Sequence, residues 1–184
     1  MNHGERHLQD RLGSRERADA FTARQTLGHL NERMRAFIGR QEMMFLATAD
    51  ADGGCDSTFR AGPPGFVRVL DEEHLSWPEY RGNGVMASLG NLTENAQVGI
   101  LFIDFDEVIG LHVNGSAEIV EDPGDQRDLP PGQRAPLWVV TRVHEAYIHC
   151  AKHIPHLVKG ERRPAGKKSD YFVPAPAPER SLIQ

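Results

Sequence analysis

The sequence lacks any apolar run long enough to span a bilayer, and its first ten residues contain no apolar core of a secretion signal. We therefore expect a cytoplasmic protein that neither enters a membrane nor is exported. Charge of one sign is also scarce: the formal net charge is −5, which gives no general attraction to nucleic acids or anionic membranes. The only two cysteines, Cys55 and Cys150, allow at most one disulfide, and in the cytoplasm we expect free thiols.

What the chain does contain suits one domain with an appendage at each end. Its 184 residues are enough to bury a sizeable core. Residues 1–25 are polar, carry both charge signs and predict a partly helical arm that orders only against a partner surface. Residues 26–158 form the predicted domain, and residues 159–184 form a tail that is first basic and then rich in proline and alanine.

Hydrophobic periodicity predicts that the domain is mainly β. Apolar residues at helical spacing indicate one helix from Thr26, as its N-cap, to Gly39. Pro78 should stop the strand that precedes it, and Asn114-Gly115 inside an apolar pattern favours a tight hairpin turn. We expect six or seven mainly antiparallel strands with helices at their flank. The strand-like segments are 43–49, 55–60, 65–70, 74–77, 97–105, 108–120 and 137–143.

A polar stretch at 57–91 contains two clusters that could hold an anion. The first lies on a predicted strand and comprises Ser57, Thr58 and Arg60. The second is the run YRGNG at 80–84, which opens a predicted helix with Asn83 as its N-cap. The start of a helix presents free N–H groups to a phosphate, and glycines let a ligand approach the backbone. The same residues also fit a solvated glycine-rich turn with a surface arginine, so the pattern alone leaves both interpretations open.

The run VHEAYIHCAKHIPH at 143–156 carries four histidines and a cysteine. A zinc-protease helix needs histidines four residues apart, whereas His144 and His149 are five apart and would lie on different sides of a helix. Two interpretations remain. His149, His153 and His156 could form a metal set with the cysteine between them, or the histidines could line the site of another ligand.

Three stretches then carry a resemblance to a known family: AGPPGFVRVLDEEHLSWPEYRGNGVMASLGNL at 61–92, ILFIDF at 100–105 and LHVNGSAEIVED at 111–122. Their content and order resemble the pyridoxamine 5′-phosphate oxidase-like family, the flavin-binding split β-barrels. The resemblance implies a split barrel of six to seven mostly antiparallel strands and a flavin bound at a homodimer interface. In place of the hairpin, it implies one long strand with a bulge at Gly115.

The resemblance also implies which residues hold the flavin, chiefly around its phosphate. They are Ser57, Thr58, Phe59, Arg60, Tyr80, Arg81, Gly82, Asn83, Gly84, Ser88 and Asn91. Trp77, Tyr80 or Trp138 would form a wall for the flavin ring. FMN, FAD and the deazaflavin F420 are all used in the superfamily, and the sequence does not choose among them.

The implied function is that of an oxidoreductase that transfers hydride to or from an unknown small molecule. Because the flavin supplies this chemistry, no catalytic side chain is needed. The C-terminal features of pyridoxamine 5′-phosphate oxidase itself are not visible in the tail, which puts a vitamin B6 substrate in doubt. Some superfamily members handle haem, so His149, His153 and His156 are candidate ligands of haem iron. The second hypothesis is therefore a flavin- and haem-binding protein, either a haem-degrading enzyme or a haem carrier. The third is a non-catalytic flavin reservoir or sensor.

Overall fold

The computed structural model describes residues 2–80, 82–121, 134–161 and 172. Helices and strands follow one another along the chain in the following order. They are α1 (His3–Arg11), α2 (Arg15–Gln25), α3 (Glu32–Gly39), β1 (Met43–Ala49), β2 (Cys55–Ala61), β3 (Arg68–Val69), β4 (His74–Glu79), α4 (Ala87–Glu94), β5 (Gln97–Asp104), β6 (Ile109–Glu121), β7 (Leu137–His149) and a 3₁₀ turn (Ala151–His153).

The seven strands form one antiparallel sheet in the order β2-β1-β5-β6-β7-β4-β3. This confirms the mainly β fold with flanking helices. Side chains alternate across the sheet, as β1 illustrates: Met44 and Leu46 are buried in the core, whereas Phe45 between them faces outward. The largest fully buried side chains are Trp77, Phe102, Leu30, Ile38, Met44, Leu46, Leu75 and Ile100.

Trp77 lies wholly in this core, with no exposed surface. Its indole Nε1 donates a hydrogen bond to Glu79 Oε1 at 3.1 Å, which satisfies the polar atom that burial would otherwise leave without a partner. In this chain Trp77 therefore supports a neighbouring carboxylate and does not present its ring as the wall of a ligand site.

Strand β4 continues through Pro78, so the prediction that this proline ends the strand is wrong. Pro78 is paired with Trp138 of β7. On the other side of β4, the two-residue strand β3 reaches only as far as Ser76. The edge of β4 is therefore open at Pro78, which is the position where a strand tolerates the missing N–H of proline.

Two further boundaries differ from the prediction. The strand predicted at 65–70 shrinks to Arg68–Val69, because a turn closed by the Phe66 N–H to Pro63 O hydrogen bond occupies its start. Helix α3 begins at Glu32, and its N-cap is Asn31, whose Oδ1 accepts from the Met34 N–H at 2.9 Å. Thr26 is thus not the N-cap, although the helix does end at Gly39.

The segment before α3 is extended rather than helical because Leu27 forms an isolated bridge with Ala146 of β7. Leu27 N donates to Ala146 O at 3.0 Å, and Ala146 N donates to Leu27 O at 2.8 Å. The apolar Leu27 thus fits the helical spacing but packs as part of the sheet.

Residues 109–121 form one long strand and not a hairpin, as the family resemblance implied. The pairing of β6 with β7 shifts at Asn114 and Gly115, where His144 is the extra residue of a bulge. A Cβ atom at Gly115 would lie 2.1 Å from the Arg142 carbonyl oxygen, so the bulge requires glycine here. β7 is also longer than predicted and includes the histidine-rich run as far as His149.

The N-terminal arm contains helices α1 and α2, neither of which buries a residue. Phe21 of α2 meets the ring of Tyr147 edge-on, with 6.2 Å between ring centroids. The proline-rich loop predicted after β6 and the basic and proline-rich parts of the tail lie mostly outside the described residues. Among the helices that are described, none has the length and apolarity needed to cross a membrane.

Substitution of alanine for two glycines, one at the bulge and one in helix α4, should change the stability of the protein in opposite directions. Gly115→Ala should lower the free energy of unfolding by about 2 kcal/mol or more, because the new methyl group meets backbone that cannot move aside. Gly90→Ala is the matched control, since nothing lies within 4 Å of its Cβ position in α4, and it should raise stability by about 0.5–1 kcal/mol. Urea denaturation measures both, and equal effects would contradict the assignment of the bulge.

Candidate functional site

The predicted anion-binding segments meet at one pocket of about 490 Å³. It lies between the edge strand β2, the end of β4, the loop that follows β4 and the first turn of α4. The lining residues are Asp56, Thr58, Phe59, Arg60, Ala61, Glu79, Tyr80, Gly82, Asn83, Gly84, Val85, Met86, Ala87, Ser88 and Leu89.

Eight of the eleven predicted cofactor-binding residues line this pocket, namely Thr58, Phe59, Arg60, Tyr80, Gly82, Asn83, Gly84 and Ser88. Ser57 lies on the exposed face of β2. Asn91 lies one turn further along α4, where its Nδ2 donates to Thr48 Oγ1 at 3.1 Å. Arg81 lies outside the described residues.

Arg60 is held by a network that links β2 to β4. Its Nε donates to Glu79 Oε1 at 3.0 Å and Oε2 at 3.2 Å, and its Nη1 donates to Thr58 Oγ1 at 3.0 Å and Phe59 O at 3.3 Å. Glu79 also accepts the hydrogen bond from Trp77. The side chains of Arg60 and Glu79 are only 21% and 11% exposed, so solvent screens their attraction weakly.

Two carboxylates of the pocket were absent from the sequence prediction. Besides Glu79, Asp56 lies on the same face of β2 as Thr58 and Arg60, and its Oδ2 accepts a hydrogen bond from Ser88 Oγ at 2.7 Å. The alternation of β2 already placed Asp56 beside Thr58. No signal in the sequence placed Glu79 there, because its contact with Arg60 depends on how the two ends of the sheet meet.

Asn83 is not the N-cap of the following helix, which corrects the prediction. Its Oδ1 accepts from the Val85 N–H at 3.0 Å and so builds the turn before the helix. Helix α4 begins at Ala87 after Met86, which adopts a left-handed conformation with φ 59° and makes no side-chain cap. Gly84 has φ 85°, a conformation that suits glycine.

The hydroxyl groups of the pocket remain hydrogen-bond donors at neutral pH. Burial raises the pKa of Tyr80 above its usual value of 10.0, and the positive charge of Arg68 opposes this shift only in part. The Tyr80 phenol is therefore protonated. With Arg60 and Thr58, it gives the site three donors suited to phosphate or to a polar ring edge, whereas the Ser88 hydroxyl donates to Asp56.

The candidate iron ligands lie apart from this arrangement. His149 ends β7, and its Nδ1 is 2.8 Å from Nε2 of His112 on β6. His153 lies in the 3₁₀ turn, and His156 Nε2 is 3.2 Å from Asp106 Oδ1. Across residues 2–80, 82–121 and 134–161, no three histidine, cysteine or acidic side chains come close enough to hold a metal ion.

His112 and His149 share one proton across their contact, since one ring nitrogen must donate and the other accept. His112 also stacks on Tyr147, with 4.7 Å between ring centroids. Burial lowers the pKa of His112 below its usual value of 6.5. The nearby His149 lowers it further, and Glu145 acts in the opposite direction. The lowered pKa favours a neutral His112, and either ring nitrogen of the contact can carry the proton.

A model of the pyridoxamine 5′-phosphate oxidase family matches residues 30–150, about two thirds of the chain. The chain belongs to this family. The matched region extends from just before α3 to just after β7, so it contains all residues that line the pocket and excludes α1 and α2. No curated protein matches the chain in sequence.

Solved structures resemble this pyridoxamine 5′-phosphate oxidase family member in fold. A HupZ variant from Group A Streptococcus is 19% identical and covers 65% of this chain and 99% of its own, with a TM-score of 0.50. An FMN-binding protein from Syntrophomonas wolfei is 11% identical over 77% and 96%, with a TM-score of 0.47. The heme storage protein HutZ from Vibrio cholerae is 17% identical over 65% and 94%, with a TM-score of 0.44.

The histidine pair predicts a pH dependence of stability. Because the pKa of His112 is lower in the folded than in the unfolded chain, the unfolded chain binds more protons as the pH falls below 6.5. The stabilisation is thus present above that pH and is lost as the pH falls through the folded pKa. His112→Gln should flatten the melting temperature against pH between about 5 and 7. The exposed His29→Gln is the control, and an unchanged His112→Gln profile would contradict the assignment.

Proposed function

We propose that this family member binds an isoalloxazine nucleotide, either a flavin or a deazaflavin, in the pocket between β2, β4 and α4. We further propose that it is an oxidoreductase that transfers hydride to or from a small molecule. The observation that carries the proposal is the convergence of eight predicted residues, from three separate elements, on one pocket. Family membership supports the same conclusion.

The residues present fit the phosphate side of such a nucleotide. Arg60 uses Nε and Nη1 in contacts with protein, while its Nη2 makes no hydrogen bond with the described residues. That leaves a charged donor group for a ligand oxygen. Gly82 and Gly84 have no atoms within 4 Å of their Cβ positions, so the loop leaves room for a ligand near its backbone.

In this proposal the chain binds and orients the nucleotide, and the nucleotide supplies the chemistry. When bound, the isoalloxazine ring supplies the hydride or electron transfer. The chain would bind the nucleotide through Arg60 and hold it with the hydroxyls of Thr58 and Tyr80. The apolar Val85 and Met86 at the rim would limit the access of water. A reservoir without turnover would show the same binding but no reaction with any reductant.

A second copy of the chain is the proposed occupant of the outer face of β1 and β2. Phe45 and Phe59 lie directly opposite each other there, with 5.7 Å between ring centroids, and are 36% and 50% exposed. Phe59 also lines the pocket. A copy that covered these rings would bury apolar surface and at the same time flank the nucleotide.

Replacement of Arg60 tests the binding site. Arg60→Ala should weaken FMN binding by about ten- to a hundredfold, since a hydrogen bond to a charged group contributes about 1.5–3 kcal/mol. Arg35→Ala is the matched control, because Arg35 pairs with Glu72 outside the pocket, at 2.8 Å. Quenching of flavin fluorescence gives both affinities. Equal FMN affinity in the two variants would show that the nucleotide binds elsewhere.

Haem binding is the second candidate function, and it depends on His149. Its Nδ1 contacts His112, whereas its Nε2 makes no hydrogen bond within the part of the chain that is described. When His149 donates from Nδ1 to the neutral His112, its Nε2 lone pair is available to iron. A second residue that orients the ring in this way is typical of histidine ligands. HutZ, the heme storage protein, has a related fold.

Titration with haem tests this candidate. The full chain should develop a Soret band that saturates, and His149→Ala should abolish it because the nitrogen that would hold the haem is removed. His74→Ala serves as the control, since His74 contacts Asp71 at 3.0 Å and pairs with Arg142 of β7, seven residues before His149. A band that persists unchanged in His149→Ala would exclude His149 as the ligand.

A further inference from the structure

Strand β2 turns polar side chains toward the interior of the fold. Asp56, Thr58 and Arg60 alternate with exposed residues and so share one face of the strand. Directly paired residues of neighbouring strands also share a face, and the partners of these three on β1 are all buried, namely Thr48, Leu46 and Met44. A polar group on such a face needs a hydrogen-bond partner from the protein or from a ligand.

Asp56 is the member of this set whose hydrogen bonds are incomplete. A carboxylate has two oxygens that act only as acceptors. Oδ2 of Asp56 accepts from Ser88 Oγ at 2.7 Å, whereas Oδ1 accepts no hydrogen bond from the described residues. Thr58 and Arg60, by contrast, contact each other at 3.0 Å. Because Asp56 also lines the pocket, its Oδ1 is available to a ligand.

The Asp56 carboxylate is held in a fixed direction. Ser88, which donates to it, belongs to helix α4 and is only 4% exposed. A second hydrogen bond, from Asn91 Nδ2 to Thr48 Oγ1 at 3.1 Å, ties the same helix to β1. The acceptor is therefore set in place before a ligand arrives, which lowers the entropy cost of binding.

Along β2, this acceptor lies beside the cationic donor of the pocket. The Arg60 guanidinium folds back to Thr58, where its Nη1 donates to Oγ1. Thr58 is two residues from Asp56, which corresponds to about 7 Å along a strand. A complementary ligand has an anion at one end and an O–H or N–H donor further along. An isoalloxazine nucleotide has this order, because its phosphate is followed by the hydroxyls of the ribityl chain and then by the N3–H of the ring.

We propose that Asp56 orients the nucleotide in the pocket by accepting a hydrogen bond from one of its O–H or N–H groups while the phosphate lies at Arg60. This inference rests on the proposed function, since it concerns the same site. It gives Asp56 a direct contact with the ligand in addition to its contact with Ser88 of α4.

Three ligands that share one ring system and one phosphate separate the two kinds of donor. They are FMN, N3-methyl-FMN, which lacks the ring N–H, and an analogue in which a pentyl chain without hydroxyls links the ring to the phosphate. The full chain should prefer FMN by about tenfold or more over the analogue that lacks the donor bound by Asp56, because hydrogen bonds to charged groups are the strong ones. If FMN itself does not bind, the 5-deaza counterparts of the three ligands replace them.

Asp56→Asn removes the acceptor. Asparagine keeps an oxygen for the Ser88 hydroxyl and turns an NH₂ group toward the ligand, so the preference for FMN over that analogue should fall about tenfold. The lost negative charge affects all three ligands alike, because their phosphate is the same, and it cancels in the comparison. Asp52→Asn is the matched control. It removes a carboxylate from the exposed turn before β2, outside the pocket, and should leave both preferences unchanged.

A reduced preference in Asp56→Asn supports the inference, and the analogue concerned shows whether Asp56 binds a ribityl hydroxyl or the ring N–H. Two results would overturn the inference and leave the nucleotide site intact. One is equal binding of all three ligands by the wild type, which needs no variant to fold. The other is an Asp56→Asn variant that weakens all three equally or leaves both preferences unchanged, since Asp56 would then only anchor α4. If no flavin or deazaflavin binds, the proposed function itself fails.

Discussion

The ion pair between Arg60 and Glu79 joins the two ends of the sheet. Arg60 belongs to the edge strand β2, and Glu79 ends β4, which is itself open at that point because β3 does not reach it. Trp77 fixes the carboxylate from the core. Removal of one partner would leave the other charge partly buried and without its counter-charge, so closure of the split barrel and integrity of the pocket depend on the same contact.

The position of the pocket follows from this closure. Where the two sheet edges meet, the chain leaves β4 through a glycine-containing loop and enters α4, so polar side chains from three elements converge. The outer face of β2 carries Phe59 beside the same pocket. In the proposed function, strand β2 therefore takes part in two contacts. Its inward face binds the nucleotide, and its outward face meets a second copy of the chain.

Much of this arrangement could be predicted from the sequence, because it depends on local patterns. The short apolar run Met43–Ala49 predicted β1 to the residue, and the period-two alternation of β2 separated Thr58 from Ser57. The bulge at Gly115 was predicted only from the family resemblance, because the local sequence Asn114-Gly115 favours a hairpin. Neither the place of Glu79 in the pocket nor the pairing of Leu27 with β7 could be predicted. Both depend on contacts between residues that are distant in the chain.

The most direct measurement of the central claim is native mass spectrometry of the full chain after incubation with isoalloxazine nucleotides. The account predicts an assembly of two chains that retains one nucleotide per chain, and loss of that nucleotide when Asp replaces Phe59 at the outer face beside the pocket. A single chain that carries no nucleotide under any of these conditions would contradict it.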